Sequence, residues 1–485
     1  MKSRFRPRMI RRVSWFGTIL LVICFVSGLA ANEPGQAAKQ QPTPEQQREL
    51  TSSIADGFTL ATVGDLIIVH PESMLNDPEF QAALKIIRQA EVAFGNMETS
   101  LIDIRRFRGY PQAEYGGMWL IGSPGVAKDV KAMGFGLVSR ANNHTTDWGI
   151  EGMRETDRAL DDSGIVHAGT GENRAAARSA RFLNVPSGRI ALVSMASSYT
   201  LLSAAMPALG EAPGRPGLNA LRTKGYVIVT EEMLKNLRKI RDAQPKGSIE
   251  PPPADQKENP KELEFFGIRY RVGKETGFSF GMDPVDLREI LKSIRQGKEN
   301  SDFLAATIHG HEPGNWSEEP ADFLPVLAHQ SIDAGADVFI GHGPHQLRGI
   351  EVYKGKPIFY SLGNFFFQVS IQEPVAQDMY EMFEKDPASL TDNEFNVSFL
   401  KKYFGQGVWY QSVIAVSRFE KGQVSEIRLY PVELRFDARQ ADQGIPRLAP
   451  PDVARKILER LQRLSTPYHT VINIEENVGV IRPGK

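Results

Sequence analysis

The chain has 485 residues, 41% of them hydrophobic and 24% charged, with a formal net charge of -1. That size and apolar content exclude a chain disordered throughout, and the balanced charge excludes the basic footprint of a nucleic-acid binder. A single cysteine excludes a disulfide framework and a cysteine-rich zinc site.

Lys2, Arg4, Arg6, Arg8, Arg11 and Arg12 precede an apolar run from Val13 to Ala31 that ends in small residues. This pattern over residues 1–31 predicts a signal peptide, cleaved, or retained as an N-terminal membrane anchor, since the run is near the lower length for spanning. Either way the folded part is expected to be extracytoplasmic, in the periplasm or at the cell surface. Arg11-Arg12 is weak evidence for twin-arginine export. Cys24 lies within the run and lacks the small residues that precede a lipidated cysteine. Residues 32–56, rich in Gln, Pro and Ala, read as a linker.

FTLATVGDLIIV predicts a buried strand running into a Gly-Asp turn, and Pro78 to Ala90 a helix. VAFGNMETS repeats the strand-to-loop plan. GFGLVSRANNH is a third such strand, with a helix from Ile150 to Ser163 behind it, and RIALVSMAS is a fourth. The stretch of about 201–300 is less regular and is expected to be an insertion or lid. It holds a turn-rich APGRPGLN, an amphipathic helix from Glu231 to Asp242 and a Pro-broken excursion. A helix then opens at Asp283-Pro284, with Asp as N-cap and Pro at its first position.

The rhythm resumes at DFLAATIHGHE, with a helix from Pro320 to Ala334, and continues into DVFIGHGPH. LRGIEVYKGKPIFYSLGNF predicts two strands about a Lys-Gly turn. Residues 370–407 show no clear pattern. A long hairpin turns at Lys421-Gly422, and a helix from Asp452 to Leu464 closes the chain. Strands alternating with helices make the expected fold class α/β.

His144, His309, His342, His345, Asp65 and Glu98 all sit where an apolar run stops. Loops at the carboxyl ends of strands are where open α/β sheets gather ligands. Six such groups in five segments can surround one or two divalent ions of the Mn, Zn or Fe kind. GHGPH is the strongest element, because its two imidazoles can reach one cluster from a single Gly-Pro loop. Asn143 offers a carbonyl oxygen, which suits a metal where negative charge must be limited. His144 can protonate a leaving group, and Asp147 can accept a hydrogen bond from its ring.

In HGHE, His309 is nearer the strand end and is the expected ligand, leaving His311 and Glu312 to contact substrate or support the ligands. Arg215 in GRPG reads equally as an anion grip or a surface turn residue. Asn364 reads as a substrate contact or a turn cap. His70, His167, His329 and His469 read as core or surface histidines.

GDL, GNMETSL, ANNHTTDWG, HGHE, GHGPHQLRGIEVYKGKPIFYSLGNF and RLYPVEL together resemble the CapA-type capsule synthesis proteins. These are poly-γ-glutamate accessory proteins of the calcineurin-like metallophosphatase superfamily. The resemblance covers residues 57–200 and 301–370 well, and 410–480 more loosely. It implies a four-layer sandwich of two mixed sheets flanked by helices over residues 57–370. Residues 371–485 would complete the same domain with a hairpin and helix.

The resemblance also implies roles for single residues. Asp65 would bind a first metal, Glu98 would bridge, Asn143 would bind a second metal and His144 would be the leaving-group acid. His309, His342 and His345 would complete the cluster. Three departures stand out: Ile67 occupies the usual place of a histidine, the Asn96–Glu98 segment replaces a bridging aspartate, and Glu312 falls one residue early. With Ile67 unable to coordinate, one tightly held ion and a weaker second are expected. Asn143, His309, His342 and Glu98 would form the tight position, and Asp65, His345 and the shared Glu98 the weak one.

The function implied is biosynthesis, attachment or export of a cell-surface polymer, a poly-γ-glutamate capsule or similar. The chemistry would be metal-dependent hydrolysis or transfer at a phosphoester or related bond. The alternative is a non-catalytic, membrane-associated scaffold. Expected partners are the polymer or its precursor and membrane-bound polymer synthesis proteins, with no nucleic acid.

Overall fold

The computed structural model describes residues 52–112, 118–249 and 258–483. The expected signal or anchor segment, and the linker as far as residue 51, lie outside the described residues. Among those described, no helix is long and apolar enough to cross a membrane.

Two mixed sheets face each other. The first runs, in spatial order, through Asn473–Glu475, Val478–Ile481, Gln423–Glu433, Gln411–Glu420, Thr59–Ile67, Val92–Met97, Leu137–Ser139 and Val166–Ala168. The second runs through Ile350–Tyr353, Lys356–Phe359, Val338–His342, Phe303–His309, Gly188–Ala196 and Arg181–Val185.

Side-chain alternation along each strand builds the layers. In Phe303–His309, Phe303 and Ala305 enter the core between the sheets, where they join Leu60, Phe94 and Leu192. Their neighbours Leu304, Ala306 and Ile308 join the outer core formed with Ile290, Ile294 and Leu327. The helices Pro284–Glu299 and Phe323–Asp333 therefore cover the second sheet. Helix Pro78–Gln89 buries Phe80, Ala83, Leu84 and Ile87 against the other face of the first sheet. That i, i+3, i+4, i+7 spacing makes one apolar stripe, and Asp77 caps it by accepting from the Phe80 amide. The result is the four-layer, helix-flanked sandwich implied by the resemblance.

Most elements expected from the sequence form within a residue or two. Helix Glu231–Asp242 matches at both ends, and Asp283 caps Pro284–Glu299 through the amides of Val285 and Asp286. The hairpin turns at Lys421 and Gly422, both with positive φ. Three regions differ. Residues 223–282 carry a four-stranded sheet of their own, in the order Glu262–Phe265, Ile268–Val272, Thr223–Val229, Gly277–Met282. The patternless stretch holds helices Gln377–Met382 and Asp392–Tyr403. After helix Pro451–Ser465 the chain adds two more strands, Asn473–Glu475 and Val478–Ile481.

Register aligns the strand ends. Asp65 pairs with Asn96 on one side and Asn364 on the other, and His309 pairs with His342. Gly64 permits the junction with Asn364, because a Cβ there would meet the Gly363 carbonyl oxygen at 1.8 Å. The carboxyl ends of both sheets thus open onto one place.

Candidate metal centre

Asp65, Glu98, His309 and His342 are all essentially inaccessible to solvent, and His345 is 5% exposed. The Asn96 amide donates to Asp65 Oδ1 at 2.9 Å, and the Gly343 amide donates to Oδ2 at 3.2 Å. Around this carboxylate stand His309 Nδ1 at 4.0 Å, His342 Nδ1 at 3.9 Å and His345 Nδ1 at 3.7 Å. Glu98 Oε1 lies 3.7 Å from His309 Nε2 and 3.8 Å from His144 Nε2.

Three interlocking sets bring their ligand atoms within 4.8 Å of one another: Asp65 with His309 and His342, Glu98 with His309 and His311, and Asp65 with Glu98 and His345. The set of Asp65, Glu98 and His345 is the weak position expected from sequence, whereas the other two sets differ from the expected tight one. His342 stands with Asp65 instead of Glu98, since its parallel strand runs beside that of His309. His311, expected to contact substrate, shares a possible ligand set with Glu98.

The electrostatics suit a cation. Burial pushes the Asp65 carboxyl up to about 7. Burial, with Asp65 and Asp147 nearby, pushes Glu98 well above the usual carboxylate range. Burial drives His342 and His345 down to about 3 and His311 to about 4. His309 falls well below its ordinary value through burial and the neighbouring imidazoles. Neutral imidazole is the form that binds metal, and among the described residues no lysine or arginine pairs with either carboxylate.

Orphaned atoms point the same way. Both Glu98 oxygens, Asn143 Oδ1 and His342 Nε2 are buried with no hydrogen-bond partner among the described residues. Each such atom costs ~1–3 kcal/mol when left unmade. A set of oxygen and imidazole donors without thiolate fits Mn, Zn or Fe.

Beside the cluster, His144 Nδ1 contacts Asp147 Oδ2 at 2.6 Å. Asn143, His144, His311 and His345 line an adjoining cavity. Asn364 is fully buried; its Oδ1 lies 2.9 Å from His345 Nδ1, and its amide donates to the His345 and Trp409 carbonyls. It holds a ring of the cluster and is sequestered from substrate. Glu312 Oε2 accepts from Ser197 Oγ and lines a separate, small cavity with His342. Arg215 does not line the adjoining cavity, and it donates to the carbonyls of Ala204 and Leu201. His167 and His329 bond Asp161 and Glu351, away from the cluster.

The family model of the bacterial capsule synthesis protein PGA_cap matches residues 59–369. That span contains every residue of the cluster. The chain belongs to this family. Among its relatives, the uncharacterized protein y4sH of Sinorhizobium fredii is 50% identical over 443 residues, covering 89% of this chain and 94% of the relative. The capsule biosynthesis protein CapA of Bacillus anthracis is 25% identical over 315 residues, covering 64% of this chain and 60% of that one. Among solved structures, the NAD nucleotidase NadN of Haemophilus influenzae is similar at a TM-score of 0.31 and 11% identity, covering 84% of this chain and 63% of that chain. A likeness that low carries no argument.

Within this capsule synthesis family member, three contributors escaped the sequence reading. Asn142 donates to Asn96 Oδ1 and the Met97 carbonyl, and its Oδ1 accepts the His144 amide. Arg140, wholly buried, donates to the Met97 carbonyl. Asn315 Oδ1 lies 2.7 Å from His311 Nδ1. The doubled Asn of NNH was the one available signal, since both of its members serve the site.

Proposed function

We propose that this chain acts in the synthesis, attachment or export of a cell-surface polymer, poly-γ-glutamate or similar, through metal-dependent hydrolysis or transfer at a phosphoester or related bond. The observation that carries this reading is the joint burial of Asp65, Glu98, His309, His342 and His345, with unpartnered donor atoms, beside the His144–Asp147 pair. Asp65, Glu98 and the three histidines would hold a divalent ion, with His311 and the Asn143 oxygen within the same site. When bound, that ion supplies Lewis-acid chemistry, drawing charge from a phosphoryl or acyl oxygen.

The chain's own groups do the rest. Asp147 accepts from His144 Nδ1–H and so orients the ring, and the imidazolium form carries at Nε2 the second proton, the one delivered to the leaving oxygen. Asp147 also offsets the charge of the imidazolium before that transfer. Asn96 and the Gly343 amide hold Asp65 in one orientation. The folded part is proposed to work outside the cytoplasm, beside membrane-bound polymer synthesis proteins.

A scaffold that binds polymer without catalysis is favoured by one observation. Ile67, at the place where the resemblance implies a histidine, lines the adjoining cavity as a hydrocarbon wall.

The test is hydrolysis of chromogenic phosphoesters by purified protein with added Mn²⁺ or Zn²⁺. Activity that is lost in His342→Ala, and that on an alkyl phosphoester is lost in His144→Ala as well, supports catalysis. No activity with any ion, together with unchanged polymer production in cells carrying His144→Ala, supports the scaffold.

A further inference from the structure

The cavity of about 420 Å³ beside the cluster has two kinds of surface. One end carries Asn143, His144, His311 and His345; the walls are Phe367, Phe383, Phe399, Tyr403 and Phe404. The aromatic wall begins at the cluster itself. Phe404 meets the His345 ring edge-on at 5.5 Å, and Phe367 packs against Phe404 at 5.2 Å. Phe399 continues the wall 6.1 Å from Phe404, and Phe383 lies 5.3 Å from Phe399. Trp316 and Met382, 62% and 54% exposed, add apolar surface where the cavity meets solvent.

Among the described residues, no lysine, arginine, aspartate or glutamate lines this space. A γ-linked glutamate chain would bring carboxylates into it with nothing to pair them, which is strongly unfavourable. Cations gather elsewhere, as Arg222, Lys224, Arg269 and Arg271 line a different cleft of about 640 Å³. Residues 382–404, which supply most of the wall, lie beyond the family-matched span of 59–369.

We propose that this cavity seats a hydrocarbon group of the substrate, an alkyl or prenyl-type chain attached next to the bond held at the cluster. The inference rests on the phosphoester reading of the cluster for the position of that bond. The ligand is thus an amphiphile, with its polar head at His144 and His311 and its chain along the phenylalanines.

Calorimetric titration of the full-length, Mn²⁺-loaded protein tests this with inorganic phosphate, then butyl, hexyl and octyl phosphate, the matching n-alkanols, and a short γ-linked glutamate oligomer. Affinity should rise about threefold to fourfold for each added methylene. Phe383→Ala and the rim variant Met382→Glu should flatten that dependence while inorganic phosphate binds as before. Thermal melts of both variants check that they remain folded. Equal affinity along the alkyl series, or displacement of octyl phosphate by the glutamate oligomer at comparable concentration, would overturn the proposal. Alkanols that bind as tightly as the alkyl phosphates of the same length would keep the hydrocarbon seat and remove the phosphoester reading.

Discussion

His144 Nδ1 lies 2.6 Å from Asp147 Oδ2, and that same oxygen accepts the Leu120 amide at 2.7 Å. The carboxylate is thereby pinned by backbone on one side and orients the imidazole on the other. Nε2 is left facing the cluster, 3.8 Å from Glu98 Oε1. In the proposed function this ring delivers a proton, and its value depends on how badly the leaving group needs one.

The first prediction follows from that dependence. His144→Ala should lower turnover of an alkyl phosphoester by about 10²–10⁴-fold. With 4-nitrophenyl phosphoesters, whose leaving oxygen departs without protonation, the loss should be much smaller. Asp147→Asn should show the same pattern, weakened. Steady-state kinetics on the two substrate classes check it, and equal losses on both would point to a structural role.

Asn364 should matter through His345. Its Oδ1 lies 2.9 Å from His345 Nδ1, which fixes the proton there and leaves Nε2 with its lone pair. Asn364→Ala should lower divalent metal affinity by about 10-fold or more. Asn364→Asp should retain most of it. Equilibrium dialysis against Mn²⁺ reads both.

The candidate site was legible where chemistry coincides with the end of an apolar run. Asp65, His309 and His342 lie at or near the carboxyl ends of buried strands and Glu98 directly follows one, so strand-end position located them in one dimension. Their grouping was not legible, because it depends on the register that sets His342 beside His309 and Asn364 beside Asp65. The aromatic wall was hidden for a different reason. Helix Asp392–Tyr403 buries Phe395, Asn396, Phe399 and Leu400, and a buried polar Asn396 breaks the apolar stripe that would announce a helix. Its amide donates to the Gln372 carbonyl, which only the fold reveals. The sheet of residues 223–282 is likewise obscure, since its strand Ile268–Val272 has no fully buried residue and so little alternation to detect.

Asp286 ties three segments together. It accepts from Arg178 and from Arg222, each at 2.6 Å, and its side chain is almost wholly buried. Burial alone would raise its carboxyl, but the two guanidinium groups outweigh burial and hold it below the usual aspartate value. A depressed folded value means the stabilisation is fully present above the unfolded pKa of about 3.9 and is lost as pH falls through the lower folded value. Asp286→Asn should cost up to about 3 kcal/mol at neutral pH, because it leaves the buried Arg178 with only the partly exposed Glu289 as counter-charge. Denaturant titrations at pH 7 and at about pH 3 should differ less for this variant than for the parent protein.

The closing helix is part of the core. Ile457, Leu458 and Leu461 of Pro451–Ser465 are fully buried with Ile427, Leu429 and Phe359 of the two sheets. Leu461→Ala should lower unfolding free energy by about 2–5 kcal/mol through lost burial and the cavity left behind. Urea unfolding measures it, and a change of a few tenths would mean that the helix packs independently of the sandwich.

The proposed chemistry requires the cluster of Asp65, Glu98, His309, His342 and His345 to hold a divalent ion. A crystal structure of protein loaded with Mn²⁺ or Zn²⁺, with anomalous scattering recorded at the metal edge, tests it most directly. At least one anomalous peak is predicted among these five side chains, with full occupancy at one position and weaker occupancy at any second. No peak there after loading, or a peak at another place with the five side chains bonded only to one another, would contradict the account.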